Sequence, residues 1–205
     1  MKISKEKAEI VGLLCAEGCH FVCYSKYYAY SKNRNKSYLV NHRTERIEFS
    51  NTSKPLLKHF RKLMIKCYGE SPIIKYRKKN SDHKIRIIRK TLMEDLLLFT
   101  DYGHNKWHVP LEVFKGDNKI KAAFIRGVYE GDGTSIFWRG NKPYLEFHMS
   151  NLVGLEEIKR LLDSLKIESD IYVSNSKLFI KGDTNVLKFA KIIKPKFKKV
   201  SLSLR

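Results

Sequence analysis

Ile10-Val11-Gly12-Leu13-Leu14-Cys15-Ala16-Glu17-Gly18 returns, 115 residues later, as Ile125-Arg126-Gly127-Val128-Tyr129-Glu130-Gly131-Asp132-Gly133. Each stretch closes a helical pattern on an acid followed by glycine. Gly12 and Ala16 are four apart, as are Gly127 and Gly131, so each helix carries a strip of small residues on one face. Facing strips would let the two backbones touch, with Glu17 and Asp132 side by side at the helix ends. Two neighbouring carboxylates repel unless a cation lies between them, which points to a Mg2+-type site with oxygen ligands.

The elements around these stretches repeat as well. After the first helix, Phe21 to Tyr30 and Tyr38 to Ser50 read as strands joined by a basic tip, Lys32 to Lys36. Ser53 starts a helix whose apolar face is Leu56, Leu57, Phe60, Leu63 and Met64, and Gly69 ends it. A short hairpin (Ile73 to Arg77, Lys84 to Ile88) and a helix from Thr91 to Phe99 close the unit. In the second half the order recurs: a helix from Lys119, strands Thr134 to Trp138 and Tyr144 to Met149, and a helix from Leu152 to Leu165. Strands Ile171 to Val173 and Leu178 to Ile180 follow, then a helix from Thr184 to Ile193 stopped by Pro195. Each half reads αββαββα, with residues 1–103 and 119–205 as the halves and 104–118 as a linker. Ile47 to Asn51 resembles Leu145 to Asn151 apart from a two-residue indel, which pairs Asn51 with Asn151. The expected fold is α+β: two such repeats packed through their first helices, with two antiparallel sheets forming a saddle.

Charge narrows the partner. There are 41 Lys+Arg against 21 Asp+Glu, a formal charge of +20 spread along the chain, so a polyanion is the leading partner. No apolar run is long enough to cross a bilayer, and the start of the chain does not resemble a signal peptide. Cys15, Cys19 and Cys23, with His20, invite a zinc reading, but Cys67 stands alone without a returning pair of ligands. Small, buried, reduced cysteines in a reducing intracellular compartment are expected instead.

The paired segments resemble the motifs of single-chain LAGLIDADG homing endonucleases, and the resemblance covers nearly the whole chain. It implies a site-specific double-strand DNA endonuclease acting as a monomer on a long asymmetric site. It implies cutting across the minor groove, with Mg2+ as cofactor and Mn2+ or Ca2+ as possible substitutes in binding. Glu17 and Asp132 become the metal ligands, with Ala16 and Gly131 beside them; Gly12, Ala16, Gly127 and Gly131 become the helix interface. Lys106 and Lys198 match lysines that the family places near the site, and Asn51 and Asn151 match its polar residues near the scissile phosphate; both asparagines could equally be helix caps. The first motif has Glu where the family more often has Asp, Cys15 replaces its usual earlier acid, and Glu130 is not expected to hold metal.

Strand alternation nominates the DNA-facing side chains. On the first sheet these are Arg46, Glu48, Lys75, Arg77, Lys84 and Arg86, with Ser25, Lys26 and Tyr27 on a first strand of ambiguous parity. The hairpin tip adds Arg34 and Lys36. The second sheet offers Trp138, Arg139, Lys142, Tyr144 and His148. An RNA-binding intron maturase and an idle DNA-binding regulator share this fold and are the alternatives. Two saddle halves with strands of about ten residues span about 66 Å, or roughly 20 base pairs. A nuclease footprint should therefore cover about that length, and protection of fewer than about 12 base pairs would contradict the paired saddle.

Overall fold

The computed structural model describes residues 2–76 and 83–200. Helix α1 (Lys5–Glu17) begins where the Ser4 hydroxyl accepts the N–H of Lys7, and the chain turns straight into β1 (Gly18–Ser31). A 3-10 turn at Lys32–Arg34 leads to β2 (Lys36–Asn51). Next come α2 (Lys54–Tyr68), β3 (Ile74–Lys75), β4 (His83–Ile87) and α3 (Lys90–Leu97). Ser53 caps α2 as expected, and Gly69 ends it at φ 68°. The connection carries a short helix, α4 (Leu111–Phe114), that has no periodic signal in the sequence.

The second unit is α5 (Asn118–Asp132), β5 (Phe137–Arg139), β6 (Lys142–His148) and α6 (Leu152–Ser164), followed by β7 (Asp170–Tyr172), β8 (Lys177–Lys181) and α7 (Asp183–Ile193). The two sheets have the same antiparallel order, β1-β2-β4-β3 and β5-β6-β8-β7. Ile47, Phe49, Ile85 and Ile87 bury one face of the first sheet beneath helices, and Leu145, Phe147, Leu178 and Ile180 do so in the second. Phe49 stacks on Phe60 of α2, while Phe147 meets Tyr129 of α5 and Phe189 of α7. No helix among the described residues is long and apolar enough to cross a membrane.

Three expectations need correction. The indel between the repeats is absent: Gly18 pairs with Phe49 as Gly133 bridges Phe147, and Ser53 caps its helix as Asn151 caps α6. Asn51 therefore corresponds to Met149, and Asn151 to Ser53. Strand β5 starts at Phe137 rather than Thr134, because Ile136 N–H is drawn to Lys199 O, 2.8 Å away. Of the four free cysteines only Cys15 is fully buried; Cys19 and Cys23 are exposed on β1.

The hairpin of β1 and β2 is far longer than ten residues per strand, with an unbroken register from Gly18↔Phe49 to Ser31↔Lys36. Strand β4 covers only Ile47 to Asn51, so the outer part is a two-stranded ribbon.

Helices α1 and α5 cross with their backbones in contact. A Cβ on Gly127 would lie 2.4 Å from Glu9 O and 2.7 Å from Leu13 N; one on Gly12 would lie 2.3 Å from Phe124 O. Gly127→Ala must therefore part the helices, and we expect it to cost roughly 1–3 kcal/mol or more in urea unfolding, as overpacking does. Gly69→Ala has free space and only the positive φ to pay for, about 1 kcal/mol. Equal losses in the two variants would contradict the close crossing.

Candidate metal centre and nucleic-acid surface

The crossing delivers the acids. A Cβ on Gly131 would sit 2.5 Å from Ala16 Cβ and 2.9 Å from Glu17 Cγ, so the Glu17 side chain lies against the last turn of α5. Burial, reinforced by the Glu17 charge, pushes the Asp132 carboxyl up to about 8, and Lys198 pulls against that rise. The predicted juxtaposition is thus present as geometry. The donors are hard oxygens, and the two carboxylates destabilise one another without a cation, so the residues fit a Mg2+-type ion. Among the described residues no cluster of three or more His, Cys, Asp or Glu forms a metal cage. Mg2+ is usually held by one or two carboxylates together with substrate phosphates.

The surroundings of the two acids differ. On the first, Asn51 Nδ2 donates to Glu17 Oε1 at 2.7 Å while Asn51 Oδ1 accepts Ser53 N–H, so the asparagine is locked onto the carboxylate from both ends. Its counterpart Met149 is buried and has no such group. Asn151, read either as a residue beside the phosphate or as a helix cap, is the buried α6 cap, with Nδ2 donating to Trp107 O.

On the second side, Lys198 Nζ is 3.5 Å from Gly131 O. Lys198 is held there by a strap, residues 195–199. Glu130 takes the N–H groups of Lys196 and Phe197, and burial raises its carboxyl while those N–H groups oppose the rise. Glu130 thus anchors backbone and is not turned toward the acids. Lys106 is not the equivalent lysine. His20 N–H donates to Tyr102 O as Ile136 N–H does to Lys199 O, so Lys198 corresponds to Asp101. Lys106 lies exposed on the turn after Gly103.

A buried cluster that the sequence reading missed ties these parts together. Glu9 meets His59 at 2.6 Å, Arg126 at 2.5 Å and Lys196 at 3.0 Å, and Arg126 also donates to Ile193 O. Burial alone would raise the Glu9 carboxyl; the hydrogen bonds from His59 and Arg126 hold it well below the usual range. Glu9 lies one helical turn before Leu13, a spacing that reads as ordinary amphipathic helix, so only the tertiary structure reveals it.

The open faces of both sheets are basic. Glu48, expected as an outward contact, is buried beneath Arg46, Lys84 and Arg86; burial would raise its carboxyl, but Lys84 and Arg46 bring it down to about 2. Glu146 takes Lys177 in the equivalent way. Lys75 pairs with Lys84 across the strands. Arg139 lies over the rings of Phe137, Tyr144 and Phe179, and Lys142 is opposite Arg139. His148 is exposed on the same face. Trp138 and Lys26 fall on the other faces of their strands by alternation, whereas Ser25 and Tyr27 share the face of Arg46. Lys36 is exposed at the ribbon tip; Arg77 and the Arg34 side chain lie outside the described residues.

Known proteins resemble this arrangement. Residues 119–194 match the model of the LAGLIDADG-like domain. No curated protein matches the chain by sequence. I-DmoI in complex with DNA and Mn aligns at 19% identity with a TM-score of 0.56, covering 94% of this chain and 98% of that one. Mesophilic variants of the homing endonuclease I-DmoI align at 20% identity and 0.58, covering 94% and 92%. The N-terminal LAGLIDADG domain of DUF199/WhiA aligns at 19% and 0.58, covering 96% and 87%. The fold is therefore that of a LAGLIDADG protein with two repeated units. Residues 119–194 form its LAGLIDADG-like domain, and residues 5–97 supply the matching first unit around Glu17.

The raised Asp132 gives a pH signature. In the folded, metal-free protein the carboxyl keeps its proton up to about 8, while the unfolded chain loses it near the usual 3.8. Stability from this group is full below the unfolded value, falls as pH rises between the two, and is flat above. Asp132→Asn should therefore raise the urea midpoint relative to the parent near pH 9 and change it little near pH 4. Mn2+ affinity of the parent, measured calorimetrically, should climb towards pH 8 with proton release. A pH-independent difference between variant and parent would contradict the buried acid pair.

Proposed function

We propose that the chain is a site-specific double-strand DNA endonuclease of homing type, acting as a monomer. The observation carrying this reading is the meeting of Glu17 and Asp132 at the ends of two helices whose backbones touch, in a chain whose two sheets each carry a basic open face. Solved I-DmoI structures include complexes with DNA and Mn or Ca, and a complex with target DNA in the presence of Mg.

Arg46, Lys84 and Arg86 on one sheet and Arg139, Lys142 and Lys177 on the other neutralise backbone phosphates and present donors to base edges. Phosphates arriving between the sheets are brought to the helix ends. Glu17, Asp132 and the carbonyls of Ala16 and Gly131 would hold a divalent ion of Mg2+ type, which supplies Lewis acidity for phosphodiester hydrolysis when bound. Asn51 fixes the orientation of the Glu17 carboxylate, and Lys198 offers a cation to the phosphate or to the attacking water. Both acids serve one site in this reading, so both strands depend on each.

A second reading is duplex binding without cleavage: the fold matches the N-terminal LAGLIDADG domain of DUF199/WhiA as well as it matches I-DmoI, and a fold by itself does not carry catalysis. The acids separate the two. Once selection from randomised duplexes has supplied a site, Glu17→Gln and Asp132→Asn should each abolish cutting of both strands while retaining DNA affinity, because an amide is isosteric but attracts a hard cation weakly. Cleavage at parental rate in both variants would remove these residues from the mechanism. A parent protein that binds its selected site and never cuts it with Mg2+ or Mn2+ would establish the second reading.

A further inference from the structure

The long ribbon has a face that duplex binding leaves unused. Along the unbroken β1–β2 register, Phe21, Ser25, Tyr27 and Arg46 share the face of Glu48, on the side of the basic sheet surface. The opposite face continues from Ile47 and Phe49, which pack under helices, out to where, among the described residues, no third strand pairs with the ribbon. There it carries Tyr24, Lys26, Tyr28 and Tyr30 on β1, with Leu39 and Arg43 on β2. Tyr24 is 74% exposed and Tyr28 77%, so the rings contribute little to the core.

We propose that this outer face binds single-stranded nucleic acid by stacking bases on Tyr24, Tyr28 and Tyr30, with Lys26 and Arg43 on the phosphates. Three features favour that occupant. The aromatic rings alternate with cations: Lys26 falls between Tyr24 and Tyr28, and the Arg43 guanidinium lies over Tyr24 at 6.0 Å. The nearby acid on this face, Glu45, is already engaged by His20 and Arg43. Finally, Tyr28 and Tyr30 stand two residues apart on one strand face, about 6.6 Å, a separation that suits successive unstacked bases. A duplex keeps its base faces stacked and offers nothing to a row of tyrosines, so the surface selects single strands. A second copy of the chain is disfavoured, since an isologous contact would set Lys26 and Arg43 against their own copies on a protein of charge +20.

The surface is separate from the acid pair, so its occupancy does not depend on the endonuclease reading. The test is fluorescence anisotropy of the full chain with a short labelled oligouridylate, an oligothymidylate of equal length and a duplex of mixed sequence. Tyr24→Ala and Tyr28→Ala should each weaken single-strand binding about tenfold, the loss expected for one stacked base. Tyr28→Phe should bind like the parent, and duplex affinity should stay unchanged in all three. The ratio of oligouridylate to oligothymidylate affinity in the parent then assigns the surface to RNA or DNA. Single-strand affinities unaltered by both alanines would overturn the proposal. So would a phenylalanine variant as weak as the alanine, or alanine variants whose only change is a loss of self-association in sedimentation. Failure to find any cleaved duplex would count against the proposed nuclease and leave this result standing.

Discussion

Everything in this molecule hangs on the contact between two helix backbones, where Gly12 meets the Phe124 carbonyl and Gly127 meets that of Glu9. No side chain intervenes, so the separation of the halves is set by main-chain van der Waals contact rather than by adaptable rotamers. That rigidity is what holds the two acids together, and the Asp132 carboxyl answers the burial and the nearby Glu17 charge by keeping its proton up to about 8. It also forces Glu9, on the buried flank of α1, into the interior, where it survives as an ion only because His59, Arg126 and Lys196 converge on it. Removing one of several partners from such a buried charge costs far more than an exposed ion pair would suggest.

The repeat is faithful in topology and unfaithful in chemistry. Both sheets hide a glutamate at the same place on the central strand, Glu48 and Glu146, and draw a lysine from the neighbouring strand over it, Lys84 and Lys177. These carboxylates keep the cations of the open faces in fixed positions, which lowers the ordering cost of meeting a polyanion. At the helix ends the two units diverge. Glu17 is fixed by Asn51, whereas Asp132 has a lysine delivered by a strap that Glu130 anchors, and Cys15 stands where Glu130 would have its twin. The two acids therefore sit in different electrostatic surroundings although the backbone treats them alike.

How much of this could be read from the chain follows from the range of the interactions. The glycine strips, the helix cap at Ser53 and the inward faces of the strands are local or periodic, and they were legible. The pairing of Asn51 with Asn151 misled because the two segments share a terminal Ser-Asn, whereas cross-strand register aligns Glu48 with Glu146 without a gap. The lysine near the site was legible on one side only: Lys198 is fixed by Glu130 through backbone hydrogen bonds, and the corresponding position in the first unit holds Asp101. Glu9 left no trace, since its partners lie 50, 117 and 187 residues away.

Those separations bear on how the molecule comes into being. Synthesis delivers α1 before α5 and the strap, so until those are made Glu9 has only His59 to meet and the small-residue face of α1 has no helix to receive it. The first unit must wait with an apolar strip and an acid that its final partners have not yet reached. Lys196 and Lys198 emerge after both acids, and with them the charge balance around Glu9 and the cation beside Asp132. A product truncated before the strap would keep both acids but not the lysines that accompany them, so the site is finished only when the strap has been made.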